Sequence, residues 1–432
     1  MFQNALTQKN MLENYKNRQM GTILSNKSVK NLAKLRDTKH NHIIFGVSEM
    51  ISNLGQNLWS SILEPYLDYI GFGAVYIGFI KTMNMFSQCL ANLLLGGLSD
   101  KIGRKNPIIF SFAATAIAAF FLGNTQSFVF FTVLISVIGF MTGIRGPSIQ
   151  GAITDSAPKK SRGSAFGIYQ LFRFTPMLFG SLFGGATAYI FGYQSIFSLH
   201  SVLAISATLI VFFLSIEARE IAERGKKAFM TAGKIALLSV PNTYKFLGEY
   251  RSFAFLMIAF IVHGFAYFVG TSFWALYAKK GIDLSITSIG LVMSANAFGL
   301  WVGAVPSGKL TDRIGGWIMI IIHIVLTTPV TILYVLSPSL PIALLTSFLH
   351  GLVGSLDGPA RPVVYSNMVG EEKIGAAIGI TDSFVLLGRM MGPIAAGFLW
   401  SYVGISAPFW ISGFINLLSL IPLGIALRIR NP

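Results

Sequence analysis

Long apolar stretches recur at 43–68, 74–98, 106–123, 127–153, 163–190 and 194–215, and resume after a polar interval at 253–278, 286–310, 316–336, 340–366, 374–400 and 405–428. Each approaches the ~20 apolar residues that a helix needs to cross a hydrocarbon core. No water is available in lipid to pair backbone N–H and C=O groups, so segments of this kind must be helical. The pattern predicts an all-α membrane protein with twelve transmembrane helices in two six-helix bundles. Residues 1–42 read as a basic cytoplasmic tail, 43–215 as the first bundle, 216–252 as a cytoplasmic connector and 253–432 as the second bundle.

The two halves repeat each other. GGLSDKIG at 96–103 matches SGKLTDRIG at 307–315, which places Asp100 over Asp312 at an offset of 212. The same offset, without gaps, puts Asn84 over Asn296, Gly146-Pro147 over Gly358-Pro359, GSAFG (163–167) over GAAIG (375–379), and Gly180 and Gly185 over Gly392 and Gly397. With six helices per half, both halves start on the same side. That is a parallel repeat about a pseudo-twofold axis along the membrane normal.

Charge fixes an expected orientation. Only 12% of the 432 residues are charged and 53% are hydrophobic; soluble domains carry about 25% charged residues. The net charge of +16 is not spread as a nucleic-acid-binding stripe. Eight Lys/Arg lie in the tail, and three, three, seven, two and one follow the even-numbered spans up to the tenth. The odd-side loops hold only Lys279 and Lys280. By the positive-inside rule both termini are expected in the cytoplasm, the protein being multi-pass in the plasma membrane. The tail lacks the short apolar core of a secretory signal. The single Cys89 excludes an intrachain disulfide framework. No phosphate loop, HExxH, GxSxG or metal cluster occurs. No enzyme activity, cofactor, metal or nucleic acid is expected.

Between the second and third spans the sequence fits the pattern G-x-x-x-D-[RK]-x-G-R-[RK] at every position, with Gly96, Asp100, Lys101, Gly103, Arg104 and Lys105. With the twelve spans, the chain over about 43–428 resembles the major facilitator superfamily, closest in pattern to its proton-coupled drug and metabolite antiporters. The resemblance implies a charge latch on the cytoplasmic seam, joined by a carboxylate at the end of the fourth span, where Asp155 stands. In the second half Gly308, Asp312, Arg313 and Gly315 persist, but Gly316 replaces the counterpart of Arg104 and Asn367 that of Asp155. Both partners of one ion pair are missing together, so the second latch is expected to be weaker. GRMMGPIAAG in the eleventh span resembles the family's antiporter motif, while the fifth span has Thr175 where that motif has glycine.

Charges inside the spans are the candidate functional groups, since each costs about 2.5–3.5 kcal/mol at mid-helix unless it is paired or faces water. Glu49, Asn53, Gln56 and Ser60 fall at i, i+4, i+7 and i+11, one polar stripe on the first helix. Glu49 is the candidate protonatable carboxylate. Arg173 lies near the midplane as a candidate substrate or counter-ion contact. Arg145 stands opposite Asp357 in the repeat, which makes a pair across the central seam one expectation and an i,i+4 pair of Asp357 with Arg361 the other. Asp382 and Arg389 share a face of the eleventh helix. His263 and Tyr267 share one on the seventh, where a hydrogen-bonded packing role is expected for His263. Lys81 is expected to snorkel toward the outer surface.

The expected function is secondary transport of a small organic solute by alternating access, with protons as the coupling partner, lipid as the surroundings and export as the direction, the protein acting as a monomer. The alternatives are a symporter or uniporter importing an anionic metabolite or sugar, and a transporter-like receptor without flux.

Overall fold

A computed structural model describes residues 40–95, 99–156, 162–217, 243–369 and 374–429. Most of the expected tail and of the connector lie outside these residues, and the first helix starts at Asn41, within the expected tail. The described helices group into twelve spans. The first six are Asn41–Ser60 with Leu63–Tyr69, Ala74–Leu95, Lys105–Leu122, Phe128–Ser156, Arg162–Phe191 and Tyr193–Leu214. The other six are Arg251–Thr271 with Trp274–Lys280, Ile286–Ile314, Gly316–Val335, Leu340–Gly354 with Asp357–Val369, Ile374–Tyr402, and Ala407–Leu418 with Leu420–Arg428. Among the described residues, ten spans are long and apolar enough to cross a membrane by length and composition alone. Spans 1 and 2 fall short because they carry polar residues: the Glu49 stripe on span 1, and Lys81, Asn84, Gln88 and Asn92 on span 2.

Four spans break in mid-course, each at a serine. The hydroxyls of Ser61, Ser272, Ser355 and Ser419 donate back to Asn57 O, Phe268 O, Leu352 O and Asn416 O. A serine that satisfies a preceding carbonyl in this way bends or ends a helix. The breaks in spans 1 and 7 are counterparts in the repeat.

The pseudo-twofold extends to individual bonds. The Asn84 amide donates to Ile135 O at 2.7 Å and the Asn296 amide to Ser347 O at 3.2 Å. Ser111 Oγ donates to Met141 O at 3.1 Å, and His323 Nδ1 lies 2.9 Å from Val353 O. Both members of each pair differ by 212 residues.

The same symmetry builds the contact between halves. A methyl group placed on Gly397 of span 11 would lie 3.0 Å from Val75 Cα of span 2, and one on Gly185 of span 5 would lie 3.2 Å from Thr287 Cα of span 8. Gly78 and Gly290 face the partner backbones just as closely. Glycine lets helix backbones meet without side chains between them.

The buried apolar residues show which end is closed. One cluster joins both halves at the end carrying the span 1 and span 7 breaks; it includes Leu58, Trp59, Leu67, Phe131, Phe273, Trp274, Tyr334 and Phe409. Toward the end carrying the termini the core divides in two. Phe253, Ile320 and Val364 belong to the second half alone, and Phe45, Phe112 and Ile153 to the first alone. The halves therefore pack together at one end and apart at the other.

Candidate functional site

Polar groups at mid-depth gather into one cluster per half. In the first, span 1 supplies Glu49, span 4 Arg145 and span 5 Tyr169 and Arg173. Glu49 is 6% exposed, and its Oε2 has no hydrogen-bond partner among the described residues. The Tyr169 hydroxyl hydrogen-bonds this carboxylate, and the Glu49 charge acts on Arg145. Arg145 is 1% exposed, with its guanidinium 4.7 Å from the centre of the Phe112 ring and 3.4 Å from Ser111 Oγ. The nearby carboxylate offsets part of the desolvation cost of the buried guanidinium. Arg173 is exposed, its guanidinium 5.9 Å from the Tyr169 ring. Asn53 and Gln56 are half-buried on the Glu49 helix.

In the second cluster Asp357 pairs with Arg361: Nε donates to Oδ1 at 2.7 Å, and the second guanidinium nitrogen lies 2.6 Å from Oδ2. The Arg361 guanidinium also sits 4.2 Å from the Phe260 ring. The i,i+4 expectation thus describes Asp357, and the cross-seam pair with Arg145 does not form. One helical turn brings Arg361 to Asp357 at no cost in chain arrangement, while the separated cores hold Arg145 in the other half beside Glu49. His263 donates from Nδ1 to Asn416 Oδ1 at 2.7 Å and meets His323 through Nε2 at 3.1 Å. Tyr267 lies between rings, 6.1 Å from His263 and 5.5 Å from His350. Asp382 is exposed and Arg389 half-buried, its guanidinium 5.7 Å from the Phe268 ring.

At the open end the structure brings Arg104 to Asp155, within the first half. Arg104 is buried, with Nε 3.0 Å from Asp155 Oδ2, and it donates to Ser99 Oγ at 2.6 Å. Gly103 turns the chain there at φ +87, a left-handed conformation that costs glycine nothing. Lys105 Nζ donates to Phe212 O and Ser215 O on span 6, at 2.8 and 2.7 Å. Gly96 lies outside the described residues, as do the side chains of Asp100 and Lys101. In the second half Gly308 is half-buried and Gly315 exposed; Asp312 and Arg313 are exposed, with no ion pair among the described residues.

At the closed end Lys81 does not snorkel. It forms an ion pair with the buried Glu64 and donates to Ser272 O of the other half at 2.7 Å. The buried Glu64 carboxylate within reach holds the ammonium at the seam between the halves. Asp68 likewise accepts from Lys279 across the halves at 3.2 Å and pairs with Lys280. Removing one member of a buried pair strands the other charge at a cost of about 3–5 kcal/mol. Lys81→Ala is therefore expected to lower the melting temperature of the detergent-solubilised protein by several degrees, and adding Glu64→Gln to recover most of it. Equal melting curves for wild type and Lys81→Ala would contradict this.

Sequence reasoning missed Tyr169, Ser111, Phe112, His323 and Asn416. Tyr169 was findable: it stands one turn before Arg173, on the same helix face.

A sequence profile of the Major Facilitator Superfamily matches residues 45–280 and again 256–432. The chain belongs to the Major Facilitator Superfamily. Relatives in the superfamily include an uncharacterized MFS-type transporter, YuxJ of Bacillus subtilis, 26% identical over 84% of this chain and 90% of the relative. The multi-drug resistance efflux pump PmrA of Streptococcus pneumoniae is 27% identical, over 86% of this chain and 94% of its own length. Among solved structures, a bacterial homologue of the human lysosomal transporter Spinster, in an inward-facing and occupied conformation, superposes with a TM-score of 0.70 at 15% identity. The superposition covers 90% of this chain and 96% of that one. The chain is thus a multi-pass membrane transporter with a small-molecule substrate.

Proposed function

We propose that this transporter exports a small organic solute from the cell in exchange for protons, as a monomer in the plasma membrane with both termini in the cytoplasm. The observation that carries the reading is Glu49, a buried carboxylate with one oxygen unpartnered among the described residues, beside the buried Arg145. A carboxylate so placed can take a proton at the unused oxygen, and doing so removes the charge that balances Arg145. Loading and unloading of Glu49 then change the electrostatic balance of the first cluster. A bound solute would feel that change through Tyr169 and Arg173. The orientation drawn from the basic loops puts the separated cores on the cytoplasmic side, so the arrangement is inward-facing. Similarity to an efflux pump supports export. An exposed Arg173 in the same cluster favours one alternative, import of an anionic solute.

A thermal-shift screen of purified protein against lipophilic cations and organic acids tests the site, repeated with Arg173→Ala. Stabilisation by lipophilic cations that disappears in Glu49→Gln supports cation export. Stabilisation by organic acids that disappears in Arg173→Ala supports the anion reading. A ligand response identical in wild type, Arg173→Ala and Glu49→Gln removes both.

A further inference from the structure

The histidines of the second bundle form a chain whose donors and acceptors can be assigned. The Asn416 amide nitrogen donates to Ile324 O at 2.8 Å and to Thr328 Oγ1 at 3.1 Å. A carbonyl only accepts, so the amide cannot be turned round, and Asn416 Oδ1 is what faces His263 Nδ1. Nδ1 of His263 therefore carries a hydrogen. At the other end His323 Nδ1 faces Val353 O at 2.9 Å, again a pure acceptor, so Nδ1 of His323 also carries one. The repeat supports this assignment, because Ser111, the counterpart of His323, donates to Met141 O, the counterpart of Val353 O.

A neutral imidazole has one N–H and one bare nitrogen. With both Nδ1 atoms protonated, two neutral rings would turn bare Nε2 atoms toward each other at 3.1 Å. Moving either hydrogen to Nε2 only shifts the lone-pair clash to Asn416 Oδ1 or to Val353 O. One additional proton resolves the arrangement: Nε2–H of one ring donates to Nε2 of the other, and every nitrogen in the chain is satisfied.

We propose that His263 and His323 share one proton between their Nε2 atoms, a proton-binding site in the second bundle separate from Glu49. Burial of both rings opposes a charge here, as do Arg361 of span 10 and, for His323, Arg389 of span 11; Asp357 of span 10 favours one. Tyr267 borders His263, and its other side meets the ring of His350. Asp357 is itself bound to Arg361, so a shift of that ion pair during transport would raise or lower the hold on the proton. Beyond Asn416 a cavity of about 10 Å³, lined by Thr327, Thr331 and Ser412 among others, has room for one water as an exit step. Use of this proton in coupling rests on the proton-exchange reading above; its presence does not.

Solid-state NMR of full-length protein with ¹⁵N-labelled histidine, in lipid nanodiscs at about pH 7.5, tests the site, since an ordinary histidine with pKa near 6.5 is then mostly neutral. The expected spectrum shows one imidazolium among the six histidines. That signal vanishes in His323→Ser, which installs the residue the first half uses at this position, and also in His263→Gln. A wild-type spectrum in which every histidine has one bare nitrogen overturns the proposal without recourse to any variant, as does an imidazolium that survives both substitutions. If the imidazolium is present while solute flux ignores a pH gradient, the site stands and the coupling reading falls. If it is absent while flux follows the gradient, the site falls and the coupling reading stands.

Discussion

Proteoliposomes carrying Glu49→Gln are expected to move a lipophilic cation such as ethidium at a rate that no longer follows an imposed pH gradient. The proton-driven component should fall by roughly 5–150-fold, the range spanned by coupling energies of about 1–3 kcal/mol. Glutamine keeps the size of the side chain and the bond from Tyr169, and loses only the site that accepts a proton. Passive exchange of solute at equal pH on both sides should persist, because the path between the halves is unchanged. Loss of exchange together with gradient-driven flux would mean that Glu49 is structural. Full gradient response in the variant would move the coupling site elsewhere.

The second large effect concerns the closed seam. Gly185→Val and Gly397→Val together should abolish flux while leaving the protein soluble in detergent and monodisperse. Each side chain enters a space where even a methyl group meets backbone of the opposite half at 3.2 Å or less. Overpacking of this kind costs roughly 1–3 kcal/mol per site. The two sites are counterparts, and both lie where the halves touch, so the penalty falls on the arrangement closed at this end. Conformations separated by a few kcal/mol would have their populations inverted by it. Gly424→Val is the control, since a side chain there has open space around it. Equal flux in the double variant and the control would show that this seam need not close.

Much of the architecture was legible because lipid permits so few solutions. Apolar length determined the spans, and the constant offset determined the relation between halves closely enough to extend to Asn84 and Asn296 and to Ser111 and His323. The Arg104–Asp155 contact was legible because its residues lie in one short loop and at one helix end. Partners from distant spans were not. Lys81 reaches Ser272 across 191 residues, and its counter-charge Glu64 comes from span 1, 17 residues before it. A lone histidine in an apolar helix, such as His323, gives no sign of what it meets until span 7 is placed beside it. The Arg145–Asp357 expectation failed for a related reason. The repeat states which residues are equivalent, and equivalence about a twofold does not imply contact.

The account depends on two bundles that close at one end while opening at the other. Pulsed electron resonance distances in a Cys89→Ser background measure this directly. One spin-label pair would be at the exposed Tyr69 and Tyr402, at the closed end, and a second at the exposed Phe213 and Lys309, at the open end. On changing pH or adding a transported cation, the Tyr69–Tyr402 distance should lengthen as the Phe213–Lys309 distance shortens. Distances that stay fixed under every condition giving flux, or that lengthen together, would contradict it.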